Sequence, residues 1–156
     1  MQGILTNTDV QSYSWSDGTT GDTKIDAVRR AITLSQLAHY PVDGVVLNPQ
    51  DWEDIELAKG DDDHYIWVSV TDGGETRLWR VPVVITTAIE AGDFLTGAFS
   101  LGAALWDMGS ASIRVAEQHK DWFQRNMVAI LAEMDMVLTN YRPESFVHGE
   151  FDNAPS

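Results

Sequence analysis

The segment that most narrows the fold is Gly44-Val45-Val46-Leu47-Asn48-Pro49-Gln50-Asp51, where a β-branched apolar run passes into a helix start with no spacer. Val45, Val46 and Leu47 suit a short buried strand. Asn48 is a helix-capping residue, and Pro49 fits the first helical position, where its missing N–H would have no partner in any case. Asp51 then places negative charge in the first turn, against the positive end of the helix dipole. A buried strand feeding a helix directly, with the helix expected to run to Gly60, points to an α+β domain with a mixed or antiparallel sheet.

The chain's 156 residues suffice for one core and are too few for two. With 44% apolar residues and 10% aromatics spread along its length, it reads as a packed protein with disorder only at the ends. Ten Lys and Arg stand against 24 Asp and Glu, a net charge of −14 that repels phosphate backbones and anionic lipid alike. Binding to nucleic acid or membrane through charge is not expected. The lack of cysteine removes disulfides, thiolate nucleophiles and Cys-based metal sites. No apolar run reaches the roughly 20 residues that a bilayer-spanning helix needs, and the first residues lack a signal-peptide pattern, so a soluble protein is expected.

Residues 6–22 are rich in Ser, Thr, Asp and Gly, with Tyr13 and Trp15 as large anchors, and are expected to form an extended loop. Asp22-Thr23 can cap a helix running to about His39, with Ala27, Ala31, Leu34 and Ala38 on one face, Val28 and Ile32 beside them, and Pro41 closing it. Residues 61–63 read as a turn and 64–70 as a strand; residues 71–75 supply a hairpin loop, and 76–87 return as one strand with Pro82 at an edge or bulge. Short strands and turns are expected over residues 93–107, and a strand over 112–116. From 127 to 139, Val128, Ile130, Ala132, Met134, Met136 and Leu138 alternate with polar positions, which favours one long strand over a helix. Tyr141-Arg142-Pro143 breaks it, and 145–151 form a last strand before a frayed tail.

No enzyme signature emerges from the residue types. His39, His64, His119 and His148 lack the spacing of a helical zinc pair. The cluster Asp61-Asp62-Asp63-His64 lacks the alternating ligands, central Gly and distal Glu of a calcium loop and reads as a solvated turn. Asp51 and Glu53 around Trp52, or Asp121 before Trp122, resemble a glycosidase acid–base pair only superficially, because such a pair must converge on one cleft. Gly92, Gly97 and Gly102 form no phosphate loop, and no serine sits in a nucleophile elbow. No cofactor and no metal are expected. Six tryptophans exceed what a core of this size requires; core packing is expected to account for most of them, and interface anchoring for some.

The order of the motifs is more specific than any one of them. Val45 to Ile55 with its Asn48-Pro49-Gln50-Asp51-Trp52 centre, Leu78-Trp79-Arg80-Val81-Pro82-Val83-Val84, Ala104-Leu105-Trp106-Asp107, Asp121-Trp122-Phe123-Gln124-Arg125-Asn126, and Tyr141-Arg142-Pro143 leading to Phe151 together resemble the C-terminal half of a tailed-phage major capsid protein of the Hong Kong 97 type. The resemblance covers about residues 3–151 and implies a Hong Kong 97-like capsid fold, with a mixed β-sheet flanked by helices. It implies an axial-domain fragment of a shell subunit that forms pentamers and hexamers of an icosahedral head, located in the virion and, during assembly, in the host cytoplasm. Its partners would be other copies of the capsid protein, the isolated fragment being a monomer or weak oligomer. The expected organisation is a lead-in over 1–21, the axial domain over 22–116, return strands shared with the peripheral domain over 117–151, and a tail over 152–156. The family's N-terminal arm, extended loop and spine helix have no counterpart in these residues, so the last strand is expected to be the loosest element.

Arg80 stands where the family often has Gly in its Leu-Trp-Gly-x-Pro-Val motif, which puts the local backbone in question if that position needs φ > 0. Some members join neighbouring subunits through an isopeptide bond between a Lys and an Asn, promoted by a Glu. Asn126 and Glu133 match those two positions, and the plainer reading adopted for them is hydrogen bonding and solvation of a strand face. Two other functions compete: the shell protein of an encapsulin-type bacterial compartment, which would bind a cargo peptide, and a small acidic enzyme, which would need a pocket of converging polar groups.

Overall fold

Strand β2 (Gly44–Leu47) lies inside a six-stranded sheet and passes straight into α2 (Pro49–Glu56). The computed structural model describes residues 3–15, 22–58, 76–107, 109–116 and 128–151. The turn, strand and hairpin loop expected over 61–75, the segment 121–126 and the tail lie outside them. The chain divides into two units, Gln2–Ala104 with Asn140–Ser156, and Leu105–Thr139, called here the sheet unit and the ribbon unit.

The helix start after β2 forms as its residues dictate. Asn48 Oδ1 accepts from the Gln50 N–H at 3.0 Å, and its Nδ2 donates to the Ile89 carbonyl at 2.8 Å, so one side chain caps α2 and pins the turn that holds Ile89. The helix ends at Glu56, short of the expected Gly60.

Helix α1 (Lys24–Leu37) starts at Thr23, whose N–H and hydroxyl both donate to the Asp26 carboxylate, at 2.9 and 2.8 Å. It stops two residues before the expected His39. His39 takes φ 67°, its N–H bonds the Gln36 carbonyl, and the Tyr40 N–H reaches back to the Ser35 carbonyl. This is a Schellman end followed by a proline, with histidine in the left-handed position usually given to glycine. The face Ala27, Val28, Ala31, Ile32 and Ser35 is buried, and α1 packs across two strands, β5 (Asp93–Gly97) and β10 (Phe146–Glu150).

The sheet order is β1-β10-β5-β2-β4-β3, with β1 (Gln11–Tyr13), β3 (Arg77–Leu78) and β4 (Val81–Ile85) completing it. Pairing is mixed: β1 runs parallel to β10 and β2 to β4, while β10–β5, β5–β2 and β3–β4 are antiparallel. Strand alternation sorts side chains onto two faces. Val45, Leu47, Phe94 and Val147 join Tyr13, Trp52, Leu78, Phe151 and the buried face of α1 on one side; Leu95, Phe146 and Ile89 form a smaller cluster on the other. Gly149 has no room for a side chain, since a Cβ there would overlap the Phe94 ring.

Three expectations are corrected. The lead-in is not all loop: Gln11, Ser12 and Tyr13 pair with Val147, His148 and Gly149. The strand expected over 76–87 is a hairpin, β3 and β4, around a two-residue loop with Trp79 at φ 52° and Arg80 at φ 70°. Both central residues of such a loop need φ > 0, which Asn-Gly ordinarily supplies. Holding two bulky side chains there costs on the order of 1 kcal/mol each. Pro82 pairs with Arg77 of β3, one residue before the parallel register with β2 begins at Val83, so it interrupts no bond to β2. The long strand expected over 127–139 is two, β8 (Ala129–Glu133) and β9 (Met136–Asn140), broken at Met134-Asp135.

A four-residue helix, α3 (Phe99–Gly102), leads into β6 (Ala103–Asp107). β6 pairs with β9, and β7 (Ser112–Ala116), found as expected, pairs antiparallel with β8.

Candidate assembly surface

In the β7–β8 ribbon Ile113 faces Ala132 and Val115 faces Ile130, while Ser112 faces Glu133 and Arg114 faces Leu131. The ribbon therefore has one apolar face, of Ile113, Val115, Ile130 and Ala132, and one largely polar face. Yet the apolar face is uncovered, with Ile113 71%, Val115 62% and Ile130 72% exposed. Leu105, Trp106, Val128, Leu131, Met134 and Met136 are exposed as well. A two-stranded ribbon has no core of its own, and an apolar face presented to water marks a surface meant for contact.

The sheet unit is anchored by ionic and polar groups of a structural kind. Buried Asp51 accepts from Lys24 Nζ at 2.8 Å and from the Gly92 N–H at 2.8 Å, tying α2 to α1 and to the turn before β5. Lys24 also reaches Asp54 at 2.6 Å. Burial alone would lower the Lys24 pKa, but its bonds to Asp51 and Asp54 outweigh that and hold it above the usual lysine value. Asp43 accepts from the backbone N–H groups of Phe99 and Ser100 and from the Ser100 hydroxyl. Partial burial pushes this carboxyl up, but the donors from Ser100 and Phe99 win and hold it below the usual aspartate value.

Among the described residues the candidate catalytic groups do not converge. Asp51 points inward to Lys24, while Glu53 faces solvent. His39 ends α1, and His148 lies on β10 with Nε2 3.6 Å from an Asp93 oxygen. Among the described residues no group of three His, Asp or Glu could hold a metal ion, and no helix is long and apolar enough to cross a membrane. His64, His119 and the 61–63 acidic run lie outside the described residues. Of the tryptophans, Trp52 is core, Trp79 donates to the Ile25 carbonyl at 3.1 Å, and Trp106 is exposed. Glu133 closes β8, exposed and opposite Ser112; Asn126 lies outside the described residues. The uncovered face went unrecognised in the sequence because alternation reports a two-faced strand without saying what covers its apolar side.

Similar architectures occur in the coats of particles. The capsid of an empty GTA particle matches with TM-score 0.72 at 16% identity, over 91% of this chain and 50% of that one. A virus-like particle from Pyrococcus furiosus matches with TM-score 0.65 at 15% identity, over 94% and 58%. A chain from Mycobacterium phage Ogopogo matches with TM-score 0.71 at 13% identity, over 97% and 56%. These matches show the fold, an α+β architecture of the Hong Kong 97-like kind. The chain belongs to the phage capsid family, which matches residues 1–151. It is 34% identical over 142 residues to the major capsid protein of Enterobacteria phage HK97, covering 91% of this chain and 37% of that protein. The chain thus spans well under half the length of that relative. Neither the encapsulin-type compartment nor the small acidic enzyme is favoured by these matches.

Proposed function

We propose that this chain is the part of a phage or prophage major capsid subunit that surrounds a capsomer axis, and that it works by contact with other copies in pentamers and hexamers of an icosahedral head. In this reading residues 22–116 are the axial domain and 117–151 the strands it shares with the peripheral domain. The observation that carries it is the uncovered apolar face of the β7–β8 ribbon in a chain of this family. The role needs no catalytic cycle, membrane or specific nucleic acid, and its setting is the virion, reached through assembly in the host cytoplasm. Glu133 is a polar surface position rather than part of a crosslink with Asn126, which its place on the polar side of the ribbon supports.

The charge of −14 opposes the close approach of copies, so isolated chains associate weakly. Salt screens that repulsion over roughly 8 to 10 Å, and association should therefore strengthen as ionic strength rises. Sedimentation velocity across a salt series tests the proposal. Species of up to five or six chains that grow with salt are expected, whereas a two-fold dimer stable at every salt would count against a capsomer role.

A further inference from the structure

The sheet unit carries a second surface that the ribbon does not explain. A cleft of about 420 Å³ is lined by Arg29, Ile32 and Gln36 of α1 and by Trp79, Arg80 and Val81 of the β3–β4 hairpin. Trp79 is its fixed wall, its indole N–H bonded to the Ile25 carbonyl and its ring lying 5.9 Å from the Arg29 guanidinium carbon. Only ten Lys and Arg exist in the chain, and two of them meet here. Among the described residues neither Arg29 nor Arg80 forms an ion pair, whereas Lys24 and Arg30 are each held by aspartates. Arg80 is also brought to the cleft rim by a backbone conformation, φ 70°, that an arginine does not choose for itself.

Two guanidiniums beside an aromatic wall are suited to receive a planar carboxylate, by paired N–H donation with ring stacking behind it. With 24 acidic residues against ten basic ones, the most abundant carboxylate near any capsid subunit is on another copy of the same chain. We infer that the Arg29–Arg80 cleft binds an Asp or Glu side chain of a neighbouring copy, giving one specific attractive contact between surfaces that otherwise repel. This inference rests on the self-association proposed above.

The test is a comparison of association by sedimentation equilibrium at one salt concentration, for the intact chain and for R29Q/R80G. Gly relieves the strained turn, so loss of fold cannot mimic loss of contact, and a denaturation curve at least as stable as wild type confirms it. The control Q50E/T87E makes the same change in net charge on exposed positions away from the cleft. Association at least tenfold weaker in R29Q/R80G than in the control is expected. Equal weakening in both variants would mean that charge acts only generally and would overturn the cleft. Unchanged association in R29Q/R80G would also overturn it while leaving the shell reading intact, and saturable binding of inorganic phosphate in that case would give the cleft to a free anion. No association by any variant up to millimolar concentration would sink the shell reading, and the cleft with it.

Discussion

The sheet unit and the ribbon unit use the same kind of residue to opposite ends. In the first, Phe94 is fully buried, stacks on Phe151 with ring centroids 4.5 Å apart and lies 6.3 Å from Tyr13. In the second, Ile113, Val115 and Ile130 alternate as regularly and stay in water. Burial, not composition, decides what an apolar side chain does for stability, so the two units should answer differently to the same kind of mutation.

The largest expected contrast is between Phe94→Ala and Ile130→Ala. The first should cost about 3–5 kcal/mol by opening a cavity at the centre of the sheet, and the second should stay within about 0.5 kcal/mol. Urea denaturation followed by tryptophan fluorescence measures both, and equal costs would abolish the distinction. Next comes Asp51→Ala, which leaves the Gly92 N–H without its acceptor and Lys24 with Asp54 alone, and should cost about 1–3 kcal/mol. In contrast, I113K/I130K should leave the melting temperature within a degree or two while abolishing the salt-dependent association, which light scattering would detect.

Arg80→Gly should stabilise the sheet unit by about 1 kcal/mol, since glycine adopts φ > 0 without strain. A calorimetric melt that falls instead of rising would show that the arginine side chain contributes more than its backbone costs. The smallest effect concerns pH. The folded Asp43 carboxyl titrates below its unfolded value, so its contribution is present above the unfolded value and lost as pH falls through the folded one. Asp43→Asn should therefore flatten the loss of stability below about pH 4 while leaving the neutral-pH curve nearly parallel to wild type. Denaturation at a series of acidic pH values would reveal an unaltered slope if Asp43 were silent.

What could be read in advance was local. The cap at Asn48, the start of α1 at Thr23 and the span of β7 each depend on a handful of adjacent residues, and each forms where the residues imply. β1 escaped because nothing in Gln11-Ser12-Tyr13 signals a strand; its pairing partner lies more than 130 residues away. The Trp79–Arg80 loop escaped because its glycine is missing. The last strand, expected to be loose, instead sits between β1 and β5 with Phe146 and Val147 fully buried. Its partners come from within the described chain, so its amides should exchange more slowly than those of β8, the reverse of the order the motifs suggested. The apolar face of the ribbon was legible as alternation and illegible as exposure, because a pattern of period two is the same whether or not a layer covers it.

At the base of the ribbon unit, the Gly102 carbonyl accepts from the N–H groups of both Tyr141 and Arg142, at 2.8 and 3.1 Å. The outgoing and returning strands are thereby stapled inside the sheet unit before the chain departs. Everything between is, for the sheet, a closed loop, and doubling the length of a flexible loop costs only about 0.6 kcal/mol in closure entropy. Insertions, deletions and wholesale sequence change between those staples are therefore nearly invisible to folding. Selection can retune the exposed face of the ribbon without renegotiating the part that folds.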